Sequence, residues 1–205
     1  GPSTVLRPVI LLRRLFRLVA GEALGSDFVE RKLRLQMGEA GEVSAREVLF
    51  EAINRIQSIA TVHDVLSHKG FQLVDVKELL TRVANGVVQN MASPRLKLDL
   101  VVEGESFALP SQPATSLALV INELVQNAVE HAFVGRDEGR IVVRLGQEPE
   151  RWVICVRDDG VGLPDGSAQQ LGLQIVETLA VEDLHGEIRF TRNGGTTATI
   201  RIPRL

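Results

Sequence analysis

The segment from Ser116 to His131, SLALVINELVQNAVEH, combines a helical apolar pattern with more polar side chains than packing requires. Its apolar residues recur at spacings of three and four, which predicts an amphipathic helix with one buried face. They are Leu117, Val120, Ile121, Leu124, Val125, Ala128 and Val129. Asn122, Glu123, Asn127 and His131 lie among them. A fold that buries this helix must therefore place several polar groups against its core.

Glu123 and Asn127 are four residues apart, so on a helix their side chains point the same way, one turn from each other. A carboxylate above an amide oxygen suits a hard cation such as Mg²⁺, and a nucleotide phosphate is the expected companion of that cation. Short polar clusters also occur on the solvated edges of amphipathic helices. This segment alone leaves a nucleotide site and a solvated edge as alternatives.

A second motif, WVICVRDDGVGLP, follows further along the chain. Its apolar alternation from Trp152 to Val156 predicts a strand, and the strand leads into Asp158, Gly160 and Gly162. Glycine directly after a strand lets the backbone approach a ligand closely. The Asp158 carboxylate offers an acceptor for an exocyclic amine such as that of adenine. Asp-Gly pairs also mark ordinary turns, so this motif alone does not distinguish a turn from a site.

Two glycine-containing segments complete the pattern. Leu171-Gly172-Leu173 opens the helical sequence QIVETLAVEDL, whose N-terminal amides are suited to receive a phosphate. Further on, Gly194-Gly195-Thr196 leads into TATIRIP, which has the pattern of an edge strand.

In this order the four segments resemble the N, G1, G2 and terminal G-T boxes of the GHKL ATP-binding superfamily, which includes histidine kinases, gyrase and the Hsp90 chaperones. Within it, NELVQNAVEHAF and LGLQIVETL are most similar to sensor histidine kinases whose dimerisation segment is of the HisKA_2 type. The resemblance covers residues 44–205. It implies Mg²⁺ and ATP as ligands, phosphoryl transfer to a histidine, and a response regulator as the partner that receives the phosphoryl group.

The resemblance also implies a role for each matched residue. Asn127 is expected to coordinate the Mg²⁺ that bridges the phosphates, and Asp158 to bind the adenine amine. Glu123 is expected to activate the attacking nucleophile or to orient a metal-bound water. The other residues expected at the nucleotide are Asn122, His131, Gly160, Gly162, Gly172, Leu173 and Thr196. Glu130 replaces the lysine of many histidine kinases, which either weakens phosphate binding or transfers the cationic role to Arg136.

The remaining pattern predicts an α+β fold, the GHKL (Bergerat-type) α/β sandwich, with helices on one face of a mixed sheet. Asp75 and Glu78 have capping-box spacing and predict a helix over VKELLTRVANGVVQNM. LKLDLVVEGE and RIVVRLGQ read as strands, and the segment from Leu109 to Pro113 is expected to break the chain. Asn193-Gly194 predicts a hairpin between the last two strands. The segment from Leu163 to Gln170 is expected to form a lid over ATP.

We divide the chain into an expected tag remnant (1–3), a helical dimerisation region (4–70) and an ATP-binding domain (71–205). Residues 4–20 are apolar and basic, which favours a helix packed on a partner helix over a membrane-surface helix; the run is too short and too charged to span a bilayer. Ser44 and Glu47 predict a capped helix to Ser67. Two antiparallel helices joined by a short loop would form a helical hairpin in this region, and two hairpins would form a four-helix homodimer.

The chain departs from its family in its histidines. These kinases carry the phosphoacceptor on the first helix of the hairpin, whereas residues 1–43 contain no histidine and the first one is His63. His63 lies on an apolar stripe, His68 at a helix end, and His185 in a predicted loop. Three explanations stay open: a diverged kinase without autophosphorylation, a lost or altered acceptor, or an acceptor elsewhere, such as His63 or another protein.

Composition narrows the function classes. A net charge of -3 and a low aromatic content give no reason to expect nucleic-acid binding. The single cysteine, Cys155, is expected to be a buried small hydrophobe, and it provides neither a disulfide framework nor a zinc site. We find no secretory signal in the sequence and expect a cytoplasmic protein.

Overall fold

The computed structural model describes residues 73–91, 93, 95–162 and 171–204, which belong to a compact unit bounded by Val62 and Leu205. The helix predicted within residues 4–20, the capped helix from Ser44 to Ser67, the lid, His63 and His68 lie outside the described residues. Within the described part of the chain, no helix is long and apolar enough to cross a membrane.

The described chain contains seven strands and three α-helices. The strands are β1 (Val74–Asp75), β2 (Lys97–Gly104), β3 (Ala108–Leu109), β4 (Glu138–Glu148), β5 (Arg151–Asp158), β6 (Glu187–Arg192) and β7 (Thr196–Pro203). The helices are α1 (Val76–Met91), α2 (Ser111–Asn127) and α3 (Leu171–Thr178). Both α2 and α3 continue into one π-helical turn, Ala128–Ala132 and Leu179–Asp183 respectively.

Five strands form one mixed sheet in the order β2-β4-β5-β7-β6. β2 runs parallel to β4, with Leu100 opposite Ile141, and the other neighbouring pairs are antiparallel. β1 and β3 form a separate antiparallel pair that the sequence pattern did not predict. Helices α1 and α2 pack against each other and contact the sheet. The mixed sheet and the α+β class of the GHKL fold are therefore confirmed.

The capping-box prediction at α1 is also confirmed. Asp75 Oδ1 accepts a hydrogen bond of 2.8 Å from the backbone N–H of Glu78, and α1 begins at Val76. The Ser106 hydroxyl donates to the same Asp75 oxygen at 2.8 Å, which attaches the helix start to the segment before β3. A side-chain acceptor at this position satisfies one of the N–H groups that a helix leaves unpaired at its start.

Strand alternation separates a buried face from an open one. Towards the helices the sheet presents fully or nearly fully buried aliphatic side chains, Ile141, Val143, Leu145, Ile154, Val156, Ala198, Ile200 and Ile202. The residues between them point to the opposite face, where ion pairs connect neighbouring strands, as in Arg140–Asp99 at 3.2 Å. Exposed pairs of this kind contribute little to stability, so the buried face holds the fold together.

Three expectations from the sequence are wrong. Helix α2 begins at Ser111 and includes Pro113, because a proline in the first helical turn replaces an N–H that would have no intrahelical partner. Strand β7 is not an edge strand, since it lies between β5 and β6. Cys155 is only half-buried, because it alternates with the buried Ile154 and Val156 and so belongs to the open face.

Candidate functional site

A cavity opens between the C-terminal part of α2, the π-helical turn after it, and the ends of β5, β6 and β7. Residues from all four sequence segments that resemble the family's boxes line it. The lining consists of Leu124, Asn127, Ala128, His131, Ala132, Val156, Asp158, Gly162, Leu173, Phe190, Thr196 and Ala198. The fold thus brings together segments that are far apart in the sequence, and it does so on the helical face of the sheet.

Asp158, the last residue of β5, is the most organised polar group of the cavity. It is only 6% exposed, and its Oδ1 accepts hydrogen bonds from the backbone N–H groups of Gly160, at 2.9 Å, and Thr196, at 3.1 Å. These two bonds join the turn after β5 to the start of β7. Among the described residues Oδ2 accepts no hydrogen bond, so this oxygen is the one that can bind a ligand donor.

Glycine at position 160 is required by a close backbone contact. A Cβ atom added there would lie 2.2 Å from the carbonyl oxygen of Ala132, in the π-helical turn. The same carbonyl accepts a hydrogen bond of 2.9 Å from the N–H of Val161. The turn after β5 therefore lies directly against the π-helical turn that ends α2, the helix with Asn122 and Asn127, which we call the asparagine-rich helix. Any side chain at position 160 would separate the two turns.

Gly195 makes a similar contact from the other side. Its φ is +120°, and a Cβ atom there would lie 2.0 Å from the carbonyl oxygen of Asp158. Gly162, with φ of +81°, lies next to Gly195. Both conformations are strained for residues with side chains, so glycine lets these two segments close around Asp158.

Asn127 ends α2 and lines the cavity with an unpaired donor. Its Nδ2 is buried and has no hydrogen-bond partner in the described structure. A buried donor without an acceptor is costly, which favours a ligand oxygen at this position. The chain then changes from α-helix to a π-helical turn, a change that is frequent at functional sites, and His131 of that turn also lines the cavity.

The structure separates Asn127 from the other polar residues of α2. Asn122 and Glu123 are buried, at 4% and 8% exposure, but neither belongs to the cavity lining. The Nδ2 of Asn122 is, like that of Asn127, buried without a partner in the described structure. Of the other sequence-predicted residues, Gly162, Leu173 and Thr196 line the cavity, whereas Gly160 and Gly172 do not.

The sequence offered Arg136 as one of two alternatives for the cationic role of the lysine that Glu130 replaces. Arg136 does not line the cavity, and its guanidinium contacts Asp159 instead. Glu130 accepts a hydrogen bond of 3.2 Å from Gln126, and its other oxygen lies 3.7 Å from Nε2 of His131. The His131 imidazole, which lines the cavity, therefore lies beside the Glu130 carboxylate.

Sequence reasoning missed the apolar walls of the cavity. Val156, Ala198 and Phe190 come from three strands and lie side by side, because β5, β7 and β6 are neighbours in the sheet. Alternation along each strand indicates which of its residues face the helices, but strand order is needed to show that these residues share one cavity.

Comparison with known proteins agrees with this arrangement. The profile of histidine kinase-, DNA gyrase B- and HSP90-like ATPases matches residues 112–205, and the HisKA_2 histidine kinase profile matches residues 28–91. The chain belongs to the histidine kinase family, in its HisKA_2 branch. The cavity lining and strands β4 to β7 lie within the first match, as does α2 apart from Ser111.

Curated relatives of this kinase-family chain include named histidine kinases. Sensor histidine kinase PdtaS of Mycobacterium tuberculosis is 38% identical over 179 residues, which are 83% of this chain and 35% of that protein. Blue-light-activated histidine kinase 2 of Erythrobacter litoralis is 27% identical over 183 residues, 83% of this chain and 51% of that protein. The chain thus spans about a third to a half of the length of these relatives.

Solved structures share the fold. The histidine kinase domain of a blue-light-activated kinase from Erythrobacter litoralis has a TM-score of 0.69 and 22% identity, covering 96% of this chain and 94% of that one. The catalytic domain of histidine kinase ThkA has a TM-score of 0.52 and 20% identity, covering 65% of this chain and 96% of that one.

We predict that Gly160→Ala lowers the stability of the chain, because the added methyl group would overlap the carbonyl of Ala132. The expected loss of unfolding free energy is about 1–3 kcal/mol, typical of an overpacked contact. Gly86→Ala is the matched control. A Cβ atom at Gly86 meets nothing within 4 Å, and alanine favours the helix, so this variant should be slightly more stable than wild type.

Urea denaturation of the three proteins measures both effects. Equal stability of Gly160→Ala and wild type would show that the turn and the helix end do not make the close contact described above.

Proposed function

We propose that this chain is the cytoplasmic core of a two-component sensor histidine kinase. It binds ATP with Mg²⁺, transfers the γ-phosphoryl group to a histidine, and passes it on to a response regulator. The observation that carries the proposal is the convergence of Asn127 and Asp158, both with a polar atom unused by the described protein, on one cavity. A homodimer formed through the helical region is part of the same proposal.

In this proposal the adenine ring occupies the part of the cavity around Asp158. Oδ2 accepts a hydrogen bond from the exocyclic amine, while Oδ1 stays bound to the Gly160 and Thr196 amides. Aliphatic and aromatic side chains such as Val156 and Phe190 suit the faces of a purine. Because the backbone holds the carboxylate on one side, its free oxygen is oriented before the nucleotide arrives.

The phosphates are proposed to lie between Asn127 and the N-terminal end of α3. Gly172 and Leu173 lie in the first turn of that helix, where backbone N–H groups without intrahelical partners favour an anion. Asn127 would contact Mg²⁺ or a phosphate oxygen, and His131 completes the polar side of the cavity lining. Asn122, which is buried outside that lining, is proposed to take part in nucleotide binding as well. When bound, Mg²⁺ neutralises charge on the transferring phosphoryl group.

Glu123 is proposed to act at the transfer step. It lies one helical turn before Asn127 and is buried, and it does not belong to the cavity lining. From there a carboxylate can polarise the attacking imidazole or orient a metal-bound water. Positioning and charge neutralisation provide most of what phosphoryl transfer needs, so a single well-placed carboxylate is sufficient.

We predict that Asp158→Asn loses ATP affinity and keeps its fold. The amide oxygen can still accept both backbone hydrogen bonds, but the amide nitrogen faces the adenine amine, and two donors cannot bind each other. The expected weakening, measured by calorimetry with Mg-ATP, is at least about tenfold. Asp99→Asn on the open face of the sheet is the matched control and should bind as wild type does. Equal affinities of all three proteins would remove Asp158 from the site.

We predict that Asn127→Asp abolishes Mg-nucleotide binding without unfolding the domain. The substitution replaces the buried Nδ2 donor with a second acceptor and adds negative charge beside the phosphates. Asn85→Asp, on the exposed side of α1, makes the same chemical change away from the cavity and should leave binding intact. Unchanged nucleotide affinity of Asn127→Asp, with a circular dichroism spectrum like that of wild type, would remove Asn127 from the proposed nucleotide site.

Kinase activity is tested by incubating the chain with γ-labelled ATP and Mg²⁺. We expect protein-bound label that is labile in acid and stable in base, as a phosphohistidine is, and no label in Asp158→Asn. His63→Gln and His68→Gln then locate the acceptor, since the variant that loses the label identifies it. Absence of label from wild type, at a nucleotide concentration that saturates binding, would contradict autokinase activity.

A second function is favoured by one observation, the absence of histidine before His63. The chain would then be a degenerate kinase, a regulatory module in which nucleotide sets conformation or partner choice. Tight ATP binding with neither label nor phosphate release would support it. Phosphate release without label would instead indicate an ATPase of the gyrase or chaperone kind.

A further inference from the structure

Arg136 holds the turn that follows β5 from outside the cavity. Its Nη1 donates a hydrogen bond of 2.6 Å to the backbone carbonyl of Asp159, and its Nη2 lies 3.7 Å from Oδ2 of the same residue. One guanidinium thus contacts both the backbone and the carboxylate of Asp159, the neighbour of Asp158 in the chain. A planar fork with several donors is suited to this double contact, whereas an ammonium is not.

Asp159 is fixed on its other side by the first residues of β4. Its Oδ1 accepts a hydrogen bond of 2.8 Å from the N–H of Arg140, and its own N–H donates to the carbonyl of Arg140 at 3.2 Å. The Asp159 side chain is 46% exposed, so these bonds serve to hold the backbone rather than to fill the core. Asp159 is therefore held between β4 and Arg136.

Arg136 is itself placed by the end of the asparagine-rich helix. Its N–H donates to the carbonyl of Phe133 at 3.0 Å, and its guanidinium lies 5.8 Å from the centre of the Phe133 ring. Phe133 is buried, and its ring packs closely on Gly139. The guanidinium is thus oriented by its contact with the buried Phe133, and its hydrogen bond to Asp159 restrains the turn after β5.

We propose that Arg136 is a positioning residue for adenine recognition: it holds Asp159 so that the adjacent Asp158 presents its free oxygen to the adenine amine. This inference rests on the proposed function. Arg136 does not line the cavity, which argues against a direct contact with the phosphates. Its effect passes through Asp159 to Asp158 and Gly160, the residues whose geometry sets the direction of Oδ2.

A positioning role has a signature that a general structural role lacks. Loosening the turn weakens the contact to the adenine amine and leaves the phosphate contacts of Asn127 and α3 in place. The affinity for ATP should then fall towards that for the purine riboside triphosphate that lacks the 6-amino group. The affinity for that analogue should not change.

The experiment compares the wild-type chain with Arg136→Ala, Arg136→Lys and the control Arg144→Ala. Arg144 lies on β4 and is ion-paired with Glu103 at 2.6 Å, and it does not line the cavity. Calorimetry with Mg²⁺ and each nucleotide gives both affinities, and thermal denaturation gives the stability. Exposed charge-assisted contacts are modest, so for Arg136→Ala we expect ATP to bind about threefold to tenfold more weakly.

The expected pattern is that Arg136→Ala loses affinity for ATP alone, Arg136→Lys loses less, and Arg144→Ala matches wild type. Equal weakening towards ATP and the analogue would overturn the inference, because it would place Arg136 at the phosphates. Unchanged discrimination in Arg136→Ala would overturn it as well. Should that variant not fold, Arg136→Lys and Asp159→Asn decide, since each keeps part of the contact and each is expected to lose affinity for ATP only.

The wild-type measurement distinguishes a failure of the proposed function from a failure of the role assigned to Arg136. Failure of wild type to bind Mg-ATP would overturn the proposed function, and this inference with it. Wild-type binding that prefers ATP to the analogue, together with unaltered preference in the variants, would overturn the role of Arg136 and leave the proposed function standing.

Discussion

The buried carboxylate of Asp158 is the interaction on which the rest of the site depends. Removing a carboxylate from water is costly unless hydrogen bonds compensate, and here one oxygen accepts two backbone N–H groups, from Gly160 and Thr196. The donors come from different segments, so the carboxylate joins the end of β5 to the start of β7. Its other oxygen accepts no hydrogen bond from the described residues. A single side chain thereby joins two segments of the cavity lining and gives the cavity a polar atom that the described protein does not use.

Close backbone packing supplies the second constraint. The carbonyl of Ala132 touches the turn at Gly160 and Val161, so the end of the asparagine-rich helix and the end of β5 form one rigid wall. Arg136 and Asp159 extend the same contact on the outer side. Because interiors are packed densely, an added side chain at Gly160 would displace the Ala132 carbonyl. The site is accordingly better described as one packed unit than as separate motifs.

Local signals in the sequence predicted local structure well. The cap at Asp75, the hairpin at Asn193-Gly194 and the start of α3 at Leu171 all depend on residues within a few positions of one another, and all three agree with the structure. Two of the three errors concern relations between distant segments, whereas the third, the start of α2 at Ser111, concerns a local helix boundary. The position of β7 depends on strand order, and the half-exposure of Cys155 depends on which face of the sheet the helices cover. Neither relation is contained in a short sequence window.

The sequence by itself determined which polar side chains are candidates for the site, because residue types and spacings of three or four specify which groups a helix or turn can offer. It identified Asn127 and Asp158 and the family to which they belong. Only the tertiary structure decided which of these groups share a cavity. Glu123 lies four residues from Asn127 yet does not line the cavity. Arg136 contacts Asp159, which is 23 positions away in the sequence. Contacts of that range arise from the packing of strands and helices, which no local pattern encodes.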